Sequence, residues 1–114
     1  MEFYVYILEC ADGSYYTGMT SDMALRLDAH NEGAIRTAYT YSRRPVKLVW
    51  AEGFESHDDA FHAEHQIKGW SRKKKQALIE NDWGKIHEIV KAERRERERK
   101  KTEQRTESVK YRGT

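Results

Sequence analysis

The sequence predicts an α+β fold, in which helices flank a small three-stranded antiparallel sheet and a charged C-terminal helix follows. Residues 3–10 and 15–20 alternate as strands do, and the Ala11-Asp12-Gly13 turn between them predicts a hairpin. Residues 46–54 supply a third strand. The remaining segments repeat apolar residues at helical spacing. A chain of 114 residues is therefore expected to fold as one domain with a modest core.

The length of the hairpin turn decides which side chains share a face, because the side-chain period of a strand is two. A two-residue loop would place Tyr6 and Tyr16 on opposite faces of the sheet. A three-residue loop, with Gly13 in the left-handed conformation, pairs Tyr6 with Gly18 and puts both phenols on one face. We favour the three-residue loop, in which Gly18 leaves space beside Tyr6.

The first helix is expected from about residue 22 to residue 31, capped by Thr20 or Ser21 and ended by Gly33. Four of its side chains lie on one side at spacings of three and four: Met23, Arg26, Leu27 and His30. An arginine and a histidine beside two tyrosines are more than packing requires.

The segment 34–45 holds the only proline and is rich in Thr, Tyr, Ser and Arg, which predicts a loop. Four of its side chains can stack on bases or pair with phosphates: Tyr39, Tyr41, Arg43 and Arg44. A solvated loop with aromatic anchoring explains these residues equally well, so both interpretations stay open.

A second helix is expected over about residues 58–68, beginning at Ser56 or Asp58. Its apolar stripe is formed by Ala60, Phe61, Ala63 and Ile67. Glu64 falls within that stripe, and burying a carboxylate without a partner costs about several kcal/mol. The residues alone leave open a salt bridge to Arg26 and the ligation of a metal ion.

Ser71 can cap a third helix over residues 72–80, with Asn81 directly after it. Its first turn holds four consecutive cations, residues 72–75, which oppose the helix dipole. A bound polyanion would relieve that repulsion, and the alternative is a solvated charged face.

The C-terminal third changes character along its length. Apolar residues at helical spacing predict a fourth helix that packs on the domain: Trp83, Ile86, Ile89 and Val90. From Glu93 the apolar residues vanish, and charge pairs at i,i+4 indicate a solvated helix. We therefore divide the chain into a domain of residues 1–82, a helix of residues 83–102 and a disordered tail of residues 103–114.

Composition limits the function classes. Residues 1–80 carry 10 Lys and Arg against 12 Asp and Glu, so nucleic-acid binding by this part must come from local patches. No apolar run is long enough to cross a membrane, and no secretory signal is visible. The single cysteine, Cys10, fits a reducing compartment, so we expect a cytoplasmic protein. His57, His62 and His65 match no zinc-ligand spacing.

The motif Tyr4-Val5-Tyr6 is followed by Tyr16-Thr17-Gly18, in which Tyr16 lies ten residues after Tyr6. With Arg26, His30, Glu64 and the basic run of residues 66–75, this pattern resembles the GIY-YIG nuclease family, specifically its small stand-alone bacterial members. The resemblance covers roughly residues 3–82. Tyr4 replaces the first Gly and Thr17 replaces the Ile of the family motifs, and neither change removes a catalytic group.

The resemblance implies a metal-dependent endonuclease that hydrolyses DNA phosphodiester bonds, with DNA repair or recombination as the expected setting. Tyr6 would be the general base with His30 as its proton relay, and Tyr16 would hold the phosphate or the water. Arg26 would neutralise the phosphoryl charge, and Glu64 would hold one Mg²⁺ or Mn²⁺ ion.

The expected partner is DNA, including branched or structured DNA, and the C-terminal helix could hold a protein partner or a second copy. The residues expected to bind nucleic acid are Arg43, Arg44, Lys68, Arg72, Lys73, Lys74 and Asn81. The alternatives are a catalytically weak nucleic-acid-binding module of the same fold and an interaction protein. The latter leaves the placement of the tyrosines unexplained.

Overall fold

The computed structural model describes residues 2–112, with side chains for residues 2–102. It contains three strands and four α-helices. Their bounds are β1 Phe3–Glu9, β2 Tyr15–Thr20, α1 Met23–Glu32, β3 Lys47–Phe54, α2 His57–Lys68, α3 Arg72–Ile79 and α4 Trp83–Arg112. A single 3₁₀ turn, Tyr41–Arg43, interrupts the loop before β3. The predicted α+β class, with its small antiparallel sheet, is confirmed.

The sheet has the order β2-β1-β3, and both pairings are antiparallel. Tyr6 pairs with Gly18 and Leu8 pairs with Tyr16, as the three-residue loop predicts. Gly13 has φ 81°, the left-handed conformation that this loop requires. The turn chemistry therefore sets the register that brings the two phenols to one face.

Helices cover both faces of the sheet. On one face the odd-numbered residues of β1, Val5 and Ile7, pack in a cluster with α2, α3 and α4. On the other face Tyr6 and Leu8 pack with residues that include Met23 and Leu27 of α1. Because β1 is central and its side chains alternate, it contributes to both clusters. Cys10, just beyond the strand, is buried.

The helix caps follow the predictions except at α1. The Asp22 side chain caps this helix by accepting a hydrogen bond from the Leu25 amide at 3.1 Å, so the expected cap at Thr20 or Ser21 is wrong. The Thr20 hydroxyl instead accepts a hydrogen bond from the Asp22 amide at 3.1 Å, which orients the capping residue. Gly33 ends the helix in the left-handed conformation, as predicted.

Helix α4 differs from the expectation at both ends. Trp83 does not pack on the domain, since it is 53% exposed and its indole nitrogen donates a hydrogen bond to the Asn81 side chain at 3.0 Å. The helix also continues to Arg112, where the composition had predicted disorder from residue 103. Strong helix formers and the lack of any Gly or Pro between Gly84 and Gly113 account for this. The last two residues of the predicted tail lie outside the described residues.

Helix α2 buries Ala60, Glu64 and Ile67, whereas Phe61 of the predicted stripe is 43% exposed. Phe61 lies about a quarter-turn away from Ala60 and packs against His65 instead, with ring centroids 4.1 Å apart. Within residues 2–112 no helix is long and apolar enough to span a bilayer.

Candidate active site

Two tyrosines from neighbouring strands form the centre of the candidate site. The Tyr6 and Tyr16 ring centroids are 6.3 Å apart on one face of the sheet, and Tyr6 is only 1% exposed. A Cβ atom at Gly18 would lie 2.5 Å from the Tyr6 hydroxyl oxygen. Glycine at this position therefore provides the space that the Tyr6 phenol occupies.

His30 connects this phenol to the loop before β3. Its Nε2 atom lies 3.2 Å from the Tyr6 hydroxyl oxygen, and its Nδ1 atom lies 2.7 Å from the Thr40 hydroxyl oxygen. His30 and Thr40 are both buried, so water has little access to the hydrogen bond between them. Sequence reasoning missed Thr40, because an irregular loop gives no periodicity from which a buried position can be recognised.

The electrostatic environment keeps both groups uncharged at neutral pH. Burial raises the pKa of Tyr6, and the neighbouring Tyr16 raises it further. Burial, followed by the charge of Arg26, lowers the pKa of His30. The site therefore holds a protonated phenol against a neutral imidazole.

Arg26 and Glu64 reach the same phenol through their charges. The Arg26 guanidinium lowers the pKa of Tyr6, and the Glu64 carboxylate raises it. Arg26 is half-buried on α1. Among the described side chains none forms a hydrogen bond or ion pair with its guanidinium, which leaves it able to bind an anion. The structure thus brings Tyr6, Tyr16 and His30 into contact. Arg26 and Glu64 act on Tyr6 through their charges.

Glu64 is a buried carboxylate on α2, 8% exposed. Its Oε1 forms an ion pair with Lys68 Nζ at 3.1 Å, and its Oε2 lies 3.0 Å from His65 Nδ1, which is also 3.0 Å from the Phe61 carbonyl oxygen. The alternative salt bridge to Arg26, which the sequence left open, is not formed. Helical spacing explains why Glu64 pairs with Lys68 and not with Arg26, because Lys68 lies one turn from Glu64 on the same helix.

A hard divalent cation at Glu64 would have to displace the two side chains that now lie against the carboxylate. The carboxylate supplies the oxygen ligand that Mg²⁺ and Mn²⁺ prefer, and the side chains of His65 and Lys68 are 59% and 58% exposed, so they can move away into water. Within residues 2–102 no three or more His, Cys, Asp and Glu side chains are grouped as a metal site. Glu64 would therefore act as a single protein ligand, with water or phosphate oxygens completing the coordination shell.

The loop before β3 contributes a stack of side chains beside Tyr16. Tyr39 stacks on Tyr16 with ring centroids 6.3 Å apart, and the Arg43 guanidinium lies 3.8 Å from the Tyr39 ring centroid. Arg43 is also fixed by an ion pair with Asp12 at 3.0 Å. Arg44 instead lies over the Tyr41 ring at 4.6 Å. The aromatic anchoring of this loop is therefore realised, and it places Tyr39 and Arg43 next to the tyrosine pair.

The basic residues at the start of α3 differ in how far they are buried. Lys74 is only 8% exposed, lies over the Trp70 ring and forms an ion pair with Glu93 of α4 at 3.6 Å. It therefore holds two helices together, and we remove it from the expected nucleic-acid surface. Arg72 is exposed over the Tyr15 ring, with its guanidinium donating to the Gly13 carbonyl, and Lys73 is exposed.

Asn81 has a local structural explanation. It adopts φ 57° at the end of α3, a conformation in which asparagine is several-fold enriched. Its side-chain oxygen accepts the hydrogen bond from Trp83. No contact with the tyrosine cluster is found for Asn81 within the described residues, so it joins α3 to α4.

A sheet carrying two tyrosines, flanked by one helix with an arginine and a histidine and another with a buried glutamate, defines a class of nuclease domain. The chain belongs to the GIY-YIG catalytic domain family, whose sequence profile matches residues 2–77. This is a nuclease family, and the match covers both tyrosine motifs and Glu64.

Relatives and a solved structure agree with this assignment. The chain is 47% identical over 76 residues to a UPF0213 protein of Streptococcus pneumoniae, covering 67% of this chain and 76% of the relative. It is 48% identical over 77 residues to a UPF0213 protein of Haloquadratum walsbyi, covering 68% and 85%. The solution NMR structure of the protein EF2693 from E. faecalis has a TM-score of 0.52 at 36% identity, covering 71% of this chain and 85% of that one.

Proposed function

We propose that this chain is a divalent-cation-dependent endonuclease that hydrolyses phosphodiester bonds of DNA. One observation carries the proposal: a buried phenol, Tyr6, is hydrogen-bonded to a neutral histidine within the field of Arg26 and Glu64. A role in packing alone does not call for two buried polar groups and two opposite charges around one hydroxyl.

Tyr6 acts as a proton carrier between water and His30. Its raised pKa means that the phenol is protonated before reaction, so it cannot be a preformed base. As the attacking water loses a proton to the Tyr6 oxygen, the Tyr6 proton passes to His30 Nε2. The water oxygen then bonds to phosphorus, the P–O bond to the leaving group breaks, and the leaving oxygen takes a proton from solvent.

This transfer requires one particular tautomer of His30. Nε2 must accept, so Nδ1 must carry the hydrogen and donate it to the Thr40 hydroxyl oxygen, 2.7 Å away. The lowered pKa of His30 keeps the ring neutral and able to accept a proton. Thr40 is therefore a positioning residue, which acts on the reaction through His30.

Charge at the phosphoryl group is balanced by the remaining side chains. Arg26 offers a guanidinium to the phosphate oxygens, and the Tyr16 hydroxyl orients the phosphate or the water. When bound at Glu64, Mg²⁺ or Mn²⁺ supplies further positive charge to the developing transition state. Lys68, which pairs with Glu64 in this structure, would then be able to contact a phosphate.

The DNA backbone would approach along the exposed cations around the site. Tyr39 and Arg43 lie beside Tyr16, Arg72 contacts the hairpin turn at the Gly13 carbonyl, and Lys73 is exposed. These residues offer phosphate contacts and aromatic stacking rather than base-edge readout. We therefore expect these residues to recognise the shape of DNA and not its sequence.

The test is cleavage of a panel of labelled single-stranded, duplex and branched DNAs with Mg²⁺, Mn²⁺ or EDTA. We expect products from at least one substrate with a divalent ion, none with EDTA, and none with Glu64→Gln in either metal. Glu52→Gln removes an exposed carboxylate with the same change of charge, and it should cleave like the wild type.

The competing function is a nucleic-acid-binding module that does not cut, and the pairing of Glu64 with Lys68 and His65 is the observation that favours it. It predicts binding of the same DNAs without products under any metal condition. Tight binding with no cleavage of any substrate in the panel would show that the chain is a binding module and not a nuclease.

A further inference from the structure

Helix α4 extends beyond the part of the chain that the nuclease family explains. The family match ends at residue 77, whereas α4 runs from Trp83 to Arg112. Within residues 83–102, α4 packs on the domain through Ile86, Ile89 and Val90, and the ion pair of Glu93 with Lys74 follows. Every residue from 91 to 102 is exposed, and Glu93 is the residue of this segment whose ion pair reaches the domain.

The exposed segment carries more positive than negative side chains, and several of the positive ones lie on one side of the helix. Residues 91–102 carry seven Lys and Arg against three Glu, a formal charge of +4. Four of the cations fall within an arc of about 120° when each residue turns the helix by about 100°. We call this set the basic face, and it consists of Lys91, Arg94, Arg95 and Lys101.

The basic face is separate from the side that contacts the domain. The residues that dock α4, Ile86, Ile89, Val90 and Glu93, occupy a second arc that does not overlap the first. Two of the three glutamates are already paired, Glu93 with Lys74 and Glu96 with Arg99. Glu98 is the one carboxylate within the arc of the basic face among residues 91–102.

The chemistry of the basic face selects a polyanion as its partner. A protein interface would need apolar or aromatic residues at its centre, and residues 91–102 offer only Ala92. Stable attachment to an anionic membrane takes an apolar face or a lipid anchor beside the cations, and residues 91–102 offer no apolar face. A phosphate backbone needs neither, because it binds through charge and the release of counterions.

We propose that the basic face of α4 is a second nucleic-acid contact, which binds the phosphate backbone of duplex DNA without regard to sequence. Its four cations span about 15 Å along the helix, a length over which duplex DNA presents several phosphates. The identity of the polyanion as DNA rests on the proposed function. The binding surface itself is independent of cleavage, since it contains no residue of the candidate active site.

The test compares two triple variants with the same loss of charge. K91Q/R94Q/R95Q removes most of the basic face, and K47Q/K85Q/K100Q removes three exposed lysines outside it. Binding to a fluorescent duplex is measured by anisotropy in EDTA over a range of KCl concentrations. EDTA separates this test from the cleavage assay, so each proposal can fail without the other.

We expect the basic-face variant to bind about 10-fold or more weakly at low salt. Its log-log salt slope should be shallower by about 0.9 for each phosphate that the variant no longer neutralises. The control should keep nearly the wild-type slope, and Glu98→Gln should bind more tightly than the wild type. All substituted residues are exposed, so circular dichroism should show unchanged melting.

Two results would overturn the proposal. Equal salt slopes in both triple variants would mean that binding follows total charge and not the basic face. A wild-type dimer in sedimentation that only the basic-face variant fails to form would show that α4 binds a second copy of the chain.

Discussion

The smallest unit of this site is a line of three side chains, Tyr6, His30 and Thr40, which meet within hydrogen-bond distance while buried. Part of it could be predicted from sequence. The turn at Gly13 fixes the register, and the register places Tyr6 opposite Gly18 and beside Tyr16. Thr40 could not be predicted, because its position depends on the path of an irregular loop.

Thr40→Val removes the hydroxyl while nearly preserving the shape of the side chain. We expect a slower saturated cleavage rate and a cost of about 1–3 kcal/mol in the free energy of unfolding, because the buried Nδ1 of His30 loses its partner. Thr40→Ser should restore both. The ¹⁵N chemical shifts of His30 should show Nδ1 protonated in the wild type and a mixture of tautomers in Thr40→Val. An unchanged tautomer would exclude the positioning role.

The lowered pKa of His30 also predicts how stability depends on pH. The imidazole has a pKa near its usual value in the unfolded chain and a lower pKa in the folded protein. At pH values between these two pKa values, the unfolded state therefore binds more protons than the folded state. His30 should therefore contribute a loss of stability as the pH falls below its unfolded pKa of about 6.5. The difference in unfolding free energy between the wild type and His30→Gln, from denaturant titrations, should narrow toward acid. A constant difference would contradict this.

At the scale of elements, features set by neighbouring residues in the sequence could be predicted, and features set by the packing of distant segments could not. Helices α2 and α3 begin after Ser56 and Ser71 as their capping residues predict, because capping is a local interaction. The burial of Lys74 was not predictable, since a run of four cations indicates a solvated surface. Only the packing of α4 beside Trp70 places a carboxylate and a ring next to it.

The pairing of β1 with β2 depends on the absence of a side chain at Gly18. Gly18→Ala places a methyl group 2.5 Å from the oxygen of the Tyr6 phenol, which is only 1% exposed, so the phenol or the strand must shift. We expect a cost of about 1–3 kcal/mol in the free energy of unfolding and little or no cleavage. Gly53→Ala on β3 is the matched control, because its nearest neighbours are 3.3 Å away. A Gly18→Ala variant that melts and cleaves like the control would mean that Tyr6 is not confined as described.

Helix α2 holds the predicted metal ligand, and calorimetric titration with Mn²⁺ tests it without any cleavage. Glu64→Gln should lack the binding heat seen in the wild type, and Glu52→Gln should retain it. Lys68→Met should bind Mn²⁺ more tightly, because the ammonium that pairs with Glu64 no longer competes with the ion. Equal Mn²⁺ affinity of Glu64→Gln and the wild type would show that Glu64 is not the metal ligand.

At the scale of the whole molecule, the chain combines a family domain with a long charged helix. Residues 94–114 hold nine Lys and Arg against four Glu, a formal charge of +5. Their composition suggested that they bury little surface, and the exposure of residues 94–102 agrees. The composition did not indicate that the helix would continue as far as Arg112, because charged residues favour both helices and disordered tails.

Truncation after Glu93 separates folding from DNA binding. The shortened chain keeps Ile86, Ile89, Val90 and the ion pair with Lys74, so we expect nearly unchanged melting and an unchanged cleavage rate at saturating DNA. Affinity for DNA should fall and become less sensitive to salt. A shortened protein that does not fold would show that the distal helix supports the domain.

In the proposed metal-dependent cleavage reaction, the Tyr6 hydroxyl carries the proton from the attacking water to His30. The most direct measurement is the single-turnover cleavage rate of Tyr6→Phe at saturating DNA with Mg²⁺. Tyr4→Phe is the matched control, because it removes a phenolic hydroxyl two residues away on the same strand, one that hydrogen-bonds to Glu2. We expect Tyr6→Phe to cleave at least about 10²-fold more slowly with DNA affinity retained, and Tyr4→Phe to cleave at the wild-type rate. Cleavage by Tyr6→Phe within a few-fold of the wild type would contradict the account.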